Sequence, residues 1–171
     1  MLSDSEEVIL RVWMTNRLFL FAVLLALTLQ TALAPCQQLT VQNELGKTTV
    51  LTRADIEALP HVKVTTGTPT MFEGVLLRTV LEKAGVELGE TLKGKRLASC
   101  LLVEAADGYR VVIALPEIDP MYSDKQWILA FLKDGKPLDA KEGPYRIVIP
   151  EEKRMARWVR QVTILRIADV Q

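Results

Sequence analysis

Asp134-Gly135-Lys136-Pro137-Leu138, then Gly143-Pro144-Tyr145-Arg146-Ile147-Val148-Ile149-Pro150, then Ala156-Arg157-Trp158-Val159-Arg160 is the stretch on which the reading of this chain turns. Asp134 to Pro137 has the residue types of a tight turn. Arg146 to Ile149 and Val159 to Ile167 are β-favouring runs that close a domain as strands. Between them, after Pro150, Lys153, Arg154, Arg157 and Arg160 concentrate positive charge. Guanidinium is the side chain best shaped for bidentate contact with a phosphate. The plainer alternative is a solvated strand, with Arg157, Val159, Gln161 and Thr163 alternating against Trp158, Arg160 and Val162.

Working back toward the N-terminus, the same alternation recurs. Gln126 to Leu132 reads as a strand, and Pro116 to Asp119 as one turn of helix. Leu97 to Ala106 and Tyr109 to Leu115 are β-rich runs about Asp107-Gly108, which predicts a two-residue hairpin. From Val75 to Ala84, Leu76, Leu77, Val80, Leu81 and Ala84 recur at helical spacing, with Gly85 as the stop. Val62 to Thr66 alternates as a strand. Thr52, with Asp55 three residues on, predicts a capped helix ending before Pro60. Leu39 to Val41 and Thr48 to Leu51 flank Gly46 as a first hairpin. Two short helices and about eight strands without a βαβ rhythm define an α+β, mixed β-rich domain.

The first 36 residues have a different character. Arg17 precedes the apolar run Leu18 to Leu29, the pattern of a secretory signal. Extended through Ala34, the stretch lies at the lower limit of the ~20 residues that a membrane-spanning helix needs. Asp4, Glu6 and Glu7 have the wrong sign for a leading region, so translation is expected to begin at Met14. Residues 1–36 are read as an N-terminal extension and signal, and residues 37–171 as one domain. An exported protein, periplasmic or extracellular, follows. Membrane attachment would come only through an uncleaved signal or through lipidation of Cys36, where Pro35 fits a lipoprotein box poorly.

Composition narrows the partners. Basic and acidic side chains balance at 21 each in 171 residues, and no basic stripe interleaved with aromatics precedes the C-terminal segment, which argues against nucleic acid. With only Cys36 and Cys100, no disulfide framework holds the domain.

Three pieces in this order resemble the molybdopterin-binding domain of the sulfite oxidase superfamily. They are Phe72-Glu73-Gly74-Val75-Leu76-Leu77 with its following helix, Ala106-Asp107-Gly108-Tyr109 followed by a strand and Leu115-Pro116-Glu117, and the C-terminal stretch quoted first. The resemblance spans roughly Phe72 to Ile167. It implies molybdopterin as cofactor, with pterin and phosphate held by the region of Arg146, Lys153, Arg154, Arg157, Trp158 and Arg160. Arg157 and Arg160 fall on the family's basic positions, and Trp158 is either core or a platform for a flat heterocycle. Redox members also carry a metal-binding cysteine just before the Gly-Val-x-Leu helix. Here that segment, His61 to Met71, has none.

A threonine hydroxyl does not replace a thiolate as ligand to a soft metal. Cys100, on a strand where Ala98, Cys100 and Leu102 share a face, is expected to be buried and inert; metal ligation or pairing with Cys36 are the alternatives. His61, the sole histidine, is expected on the surface. Asp107 and Tyr109 are read first as turn residues, Glu117 and Asp119 as carboxylates at a helix start, and Trp127 as core.

The resemblance thus implies either a non-catalytic module binding a pterin-like or anionic ligand or a protein partner, or an oxidoreductase with atypical metal ligation. Asn16-Arg17 supplies one arginine where export of a folded, cofactor-loaded protein calls for two, which favours the first.

Overall fold

A computed structural model describes residues 37–169 apart from Thr68. The expected signal, the Met14 start and the Cys36 readings lie outside the described residues. Strands β1 (Leu39–Gln42), β2 (Thr48–Leu51), β5 (Ser99–Ala105), β6 (Arg110–Ala114) and β10 (Val162–Asp169) form one sheet in the order β2-β1-β10-β5-β6. A second sheet runs β3 (His61–Thr65), β4 (Met71–Leu76), β7 (Ile128–Lys133) and β8 (Lys136–Pro137), and β9 (Arg146–Val148) also pairs with β7. Pairing is antiparallel throughout except between β1 and β10. The class is α+β, as expected.

Burial follows the two-residue period. Leu39 and Val41 of β1, Leu101 and Val103 of β5, and Leu165 and Ile167 of β10 turn inward and are all but inaccessible. They join Val75, Leu129, Phe131 and Ile147 of the other sheet in one buried cluster. Two helices close the gaps. In α1 (Arg53–Glu57), the Thr52 hydroxyl accepts from the Asp55 amide at 3.2 Å and the Asp55 carboxylate accepts from the Thr52 amide at 2.8 Å, so the predicted capping box forms and presents Ile56 to the core. The apolar stripe of α2 (Leu77–Lys83) buries Leu77, Val80 and Leu81.

Among the described residues the strand count is ten rather than eight. Met71 to Leu76 is β4 and carries the chain straight into the helix, which therefore begins at Leu77 and not at Val75. The alternation in β4 is broken by a register shift between Glu73 and Gly74, so Gly74 and Val75 are both buried and the strand reads like a helix start. Gly74 permits this: a Cβ there would lie 2.2 Å from the Leu129 carbonyl oxygen. The second added strand, β8, is the two residues Lys136–Pro137 that follow the Asp134-Gly135 turn.

Two boundaries near the predicted site also move. The hairpin at Asp107-Gly108 forms, but Ala105 and Tyr109 close it, with Gly108 at φ +84°, so its loop has three residues. The last strand starts at Val162 instead of Val159. Gln161 adopts φ +51° and turns the chain, so Arg157 to Arg160 do not alternate across a strand. No helix of the described residues is long and apolar enough to cross a membrane.

Candidate ligand-binding site

The basic residues singled out from the sequence divide into three environments. Arg146 leaves β9 toward the interior and is nearly inaccessible. Its guanidinium donates to Glu142 and lies 5.5 Å from the ring centres of both Phe72 and Trp158. Burial lowers its pKa and Glu142 partly restores it, while the neighbouring charge of Arg160 lowers it further. Lys133 shares Glu142 at 3.1 Å and also approaches the Phe72 ring. Arg146 is thus a charge held inside an aromatic frame, and its Nε is buried without a hydrogen-bond partner.

Arg157 ends a single 3₁₀ turn, Met155–Arg157. It donates to Glu117 at 3.0 Å and to Glu152 at 2.5 Å, and its guanidinium lies 5.0 Å from the centre of the Trp127 ring. Burial opposes this charge, but the two carboxylates outweigh it and raise the pKa above the usual arginine value.

Lys153, Arg154 and Arg160 are exposed, and among the described residues no ion pair holds them. Arg160 opens into a cavity of about 240 Å³ whose walls include Asp107, Tyr109, Met155, Trp158 and Val159. Trp158 is buried, with its ring edge against Phe72 at 6.0 Å and its indole N–H unpaired. The Tyr109 hydroxyl donates to the Ala156 carbonyl at 2.8 Å, which ties the β5–β6 hairpin to the basic segment. The Asp107 carboxylate accepts from the Tyr109 amide at 2.9 Å, so it shapes the turn as well as the cavity rim.

The structure therefore brings Arg160, Trp158, Tyr109 and Asp107 together and sends Arg157, three residues from Arg160, to other neighbours. Glu142 and Glu152, the partners of Arg146 and Arg157, carried no signal in the sequence, since neither ion pair sits on a regular helix. Met155 and Val159 as cavity walls were equally hidden. Glu117 serves Arg157. Asp119 is buried and accepts from the amides of Gly89 and Met121 at 2.5 and 2.9 Å, so it holds a loop.

Cys100, expected to be buried, is only half-buried; it sits on β5 beside Ala114 of β6 and Ala168 of β10 and does not line this cavity. Burial first, and then Asp169, raise its thiol pKa. His61 lies exposed between the Glu73 carboxylate at 3.1 Å and the Glu57 carbonyl at 2.9 Å.

One mixed and one antiparallel sheet, a strand carrying Gly74-Val75 into the helix at Leu77, and a basic turn ahead of the last strand agree with a molybdopterin-binding type of domain. The model of the oxidoreductase molybdopterin binding domain matches residues 67–170, and the chain belongs to that family. Among solved structures, the sulfane dehydrogenase SoxCD from Paracoccus pantotrophus is similar, at 21% identity and a TM-score of 0.60. The likeness covers 78% of this chain and 38% of the other, so this chain corresponds to well under half of that one, and it shows the fold alone. No curated protein matches by sequence.

The family implies molybdopterin, and the donors present test that implication unevenly. Arg160, with Lys153 and Arg154 nearby in sequence, offers free positive charge to a phosphate. The metal is another matter. His61 to Met71 has no thiolate, Cys100 faces elsewhere, and among the described residues no three His, Cys, Asp or Glu side chains cluster to hold an ion. Among the described residues, the donors do not fit the metal-bearing half of the cofactor.

Proposed function

We propose that this chain is an exported, non-catalytic member of its family that uses the cavity between Tyr109, Trp158 and Arg160 to hold a small anionic ligand. One observation carries the reading. Arg157, on a position where relatives are expected to meet the cofactor's phosphate, has both sides of its guanidinium taken by Glu117 and Glu152. A phosphate at Arg157 would have to displace two carboxylates and then sit beside them. The cysteine-free segment before β4 points the same way, as does a leader with one arginine. What remains is Arg160, without an ion-pair partner among the described residues, at a cavity lined by Tyr109 and Trp158, a setting suited to a small anion.

Molybdenum and pterin analysis of the protein purified from its native host tests the reading directly. The expected result is neither metal nor pterin in stoichiometric amount. About one molybdenum per chain would overturn it and establish an oxidoreductase with unusual ligation.

A further inference from the structure

The outer strands are β2 and β6 in the first sheet and β3, β8 and β9 in the second, and among the described residues all but β6 are guarded; β9 is three residues long and donates its Ile147 amide to the Val159 carbonyl. The β3 edge carries Lys63 and follows Pro60, the β8 edge is Lys136-Pro137, and the β2 edge is four residues long and enters from Lys47. Lysine, proline and brevity are the usual means of keeping a strand edge from pairing with another chain. The remaining edge, β6, reads Arg110-Val111-Val112-Ile113-Ala114 and has no lysine, proline or bulge.

The free hydrogen-bonding groups on β6 can be assigned. Ala105 donates its amide to the Tyr109 carbonyl at 2.9 Å, so these two residues form a hydrogen-bonded position of the β5–β6 ladder. Register continues without interruption from Glu104↔Arg110 to Cys100↔Ala114. Strict alternation in an antiparallel pair then directs the amides and carbonyls of Val111 and Ile113 toward β5, and those of Arg110, Val112 and Ala114 outward. Val112 is 59% exposed, and Leu102 of β5 lies opposite it on the same face.

We infer that β6 pairs antiparallel with β6 of a second copy of this chain, about a two-fold axis at Val112. The register is self-complementary, as a two-fold interface requires. Val112 meets Val112, extending an apolar row from Leu102 of one copy to Leu102 of the other. Arg110 meets Ala114, beside which stand only Cys100 and Ala168, small residues that leave room for a long side chain. Charge is no obstacle. Each Arg110 is paired within its own chain to Glu104 at 3.1 Å, and the two arginines stand four residues apart along the strands, about 14 Å. That separation exceeds the ~8 Å screening length at physiological salt. Two five-stranded sheets become one of ten strands. This inference is independent of what the Arg160 cavity binds.

The test uses the full chain with Cys36→Ser and Cys100→Ala, carrying either Val112→Cys or the control Val50→Cys. Val50 is a comparably exposed valine, 49%, on the opposite edge strand. A short bis-maleimide is expected to convert most of the Val112→Cys chain to a species of twice the chain mass and to leave Val50→Cys single. Val112→Lys, which places like charges at the axis, is expected to abolish the doubled mass in light scattering while its circular dichroism stays that of the parent. Absence of cross-linking at Val112, equal cross-linking at both positions, or cross-linking of Val112→Cys in cells only to a different protein would each overturn self-pairing.

Discussion

Arg157 donates to Glu117 across 40 residues of sequence, joining the turn after β6 to the basic segment that precedes β10. The same guanidinium covers the Trp127 ring, so one side chain stitches three parts of the chain together. Its loss should be felt as lost packing as well as lost charge. Arg157→Ala is expected to lower stability in urea unfolding by about 1–2 kcal/mol, and a double-mutant cycle with Glu117→Ala to give a coupling of less than about 1 kcal/mol, since both side chains keep some contact with water. A larger coupling would mean that the pair is more deeply desolvated than its geometry shows.

Acid should weaken the fold partly through Glu73. Its hydrogen bond from His61 holds the carboxyl below the usual carboxylate pKa, with Lys63 adding to the effect. A depressed folded-state pKa contributes stability above the unfolded value, and that contribution disappears as pH falls through the folded value. Glu73→Gln is therefore expected to shed less stability than the parent on acidification from about pH 5 to pH 3. Identical pH profiles for the two proteins would remove Glu73 from the account.

Gly74→Ala should be severe for a surface-neutral change of one methyl. The added carbon would meet the Leu129 carbonyl at 2.2 Å, and backbone rather than a mobile side-chain tip has to give way. A loss of about 1–3 kcal/mol is expected in thermal or urea unfolding. Gly67→Ala, where a Cβ meets nothing within 4 Å, is the control and should be nearly silent.

Arg160 and Arg157 should separate in ligand binding. A pterin phosphate, followed by quenching of tryptophan fluorescence, is expected to lose affinity about tenfold or more in Arg160→Ala, as removal of one charge-assisted contact requires. Arg157→Ala should stay within about threefold, because its guanidinium already faces two carboxylates. The opposite ranking would place the anion at Arg157 and remove the main support for a non-catalytic module.

Local physics made much of the fold legible in the sequence. Thr52 with Asp55, Gly46, Asp107-Gly108 and the Leu77-Val80-Leu81 spacing each act within a few residues, and each is realised in the structure, Asp107-Gly108 within a loop of three residues rather than two. The β4 strand was hidden because its register shift at Glu73 and Gly74 breaks alternation next to a true helix, so two periods merged into one. The site was less legible for a related reason. Arg157 advertises positive charge, but whether that charge is free depends on Glu117 and Glu152. Nothing in the spacing of those residues foretells that the chain brings them together. Trp127 under the Arg157 guanidinium is hidden in the same way.

β1 and β10 run parallel although they lie at opposite ends of the domain sequence. Leu39 and Val41, near the start of the domain, find their neighbours in β10, the strand that supplies Leu165 and Ile167 to the same core. The first sheet thus lacks its middle strand until the final dozen residues of the domain arrive, and β1-β2 and β5-β6 are two separate hairpins until then. Such non-local closure is intrinsically slow. A chain emerging in order from a ribosome would therefore leave its first sheet open almost to its end, while every strand of the second is already present.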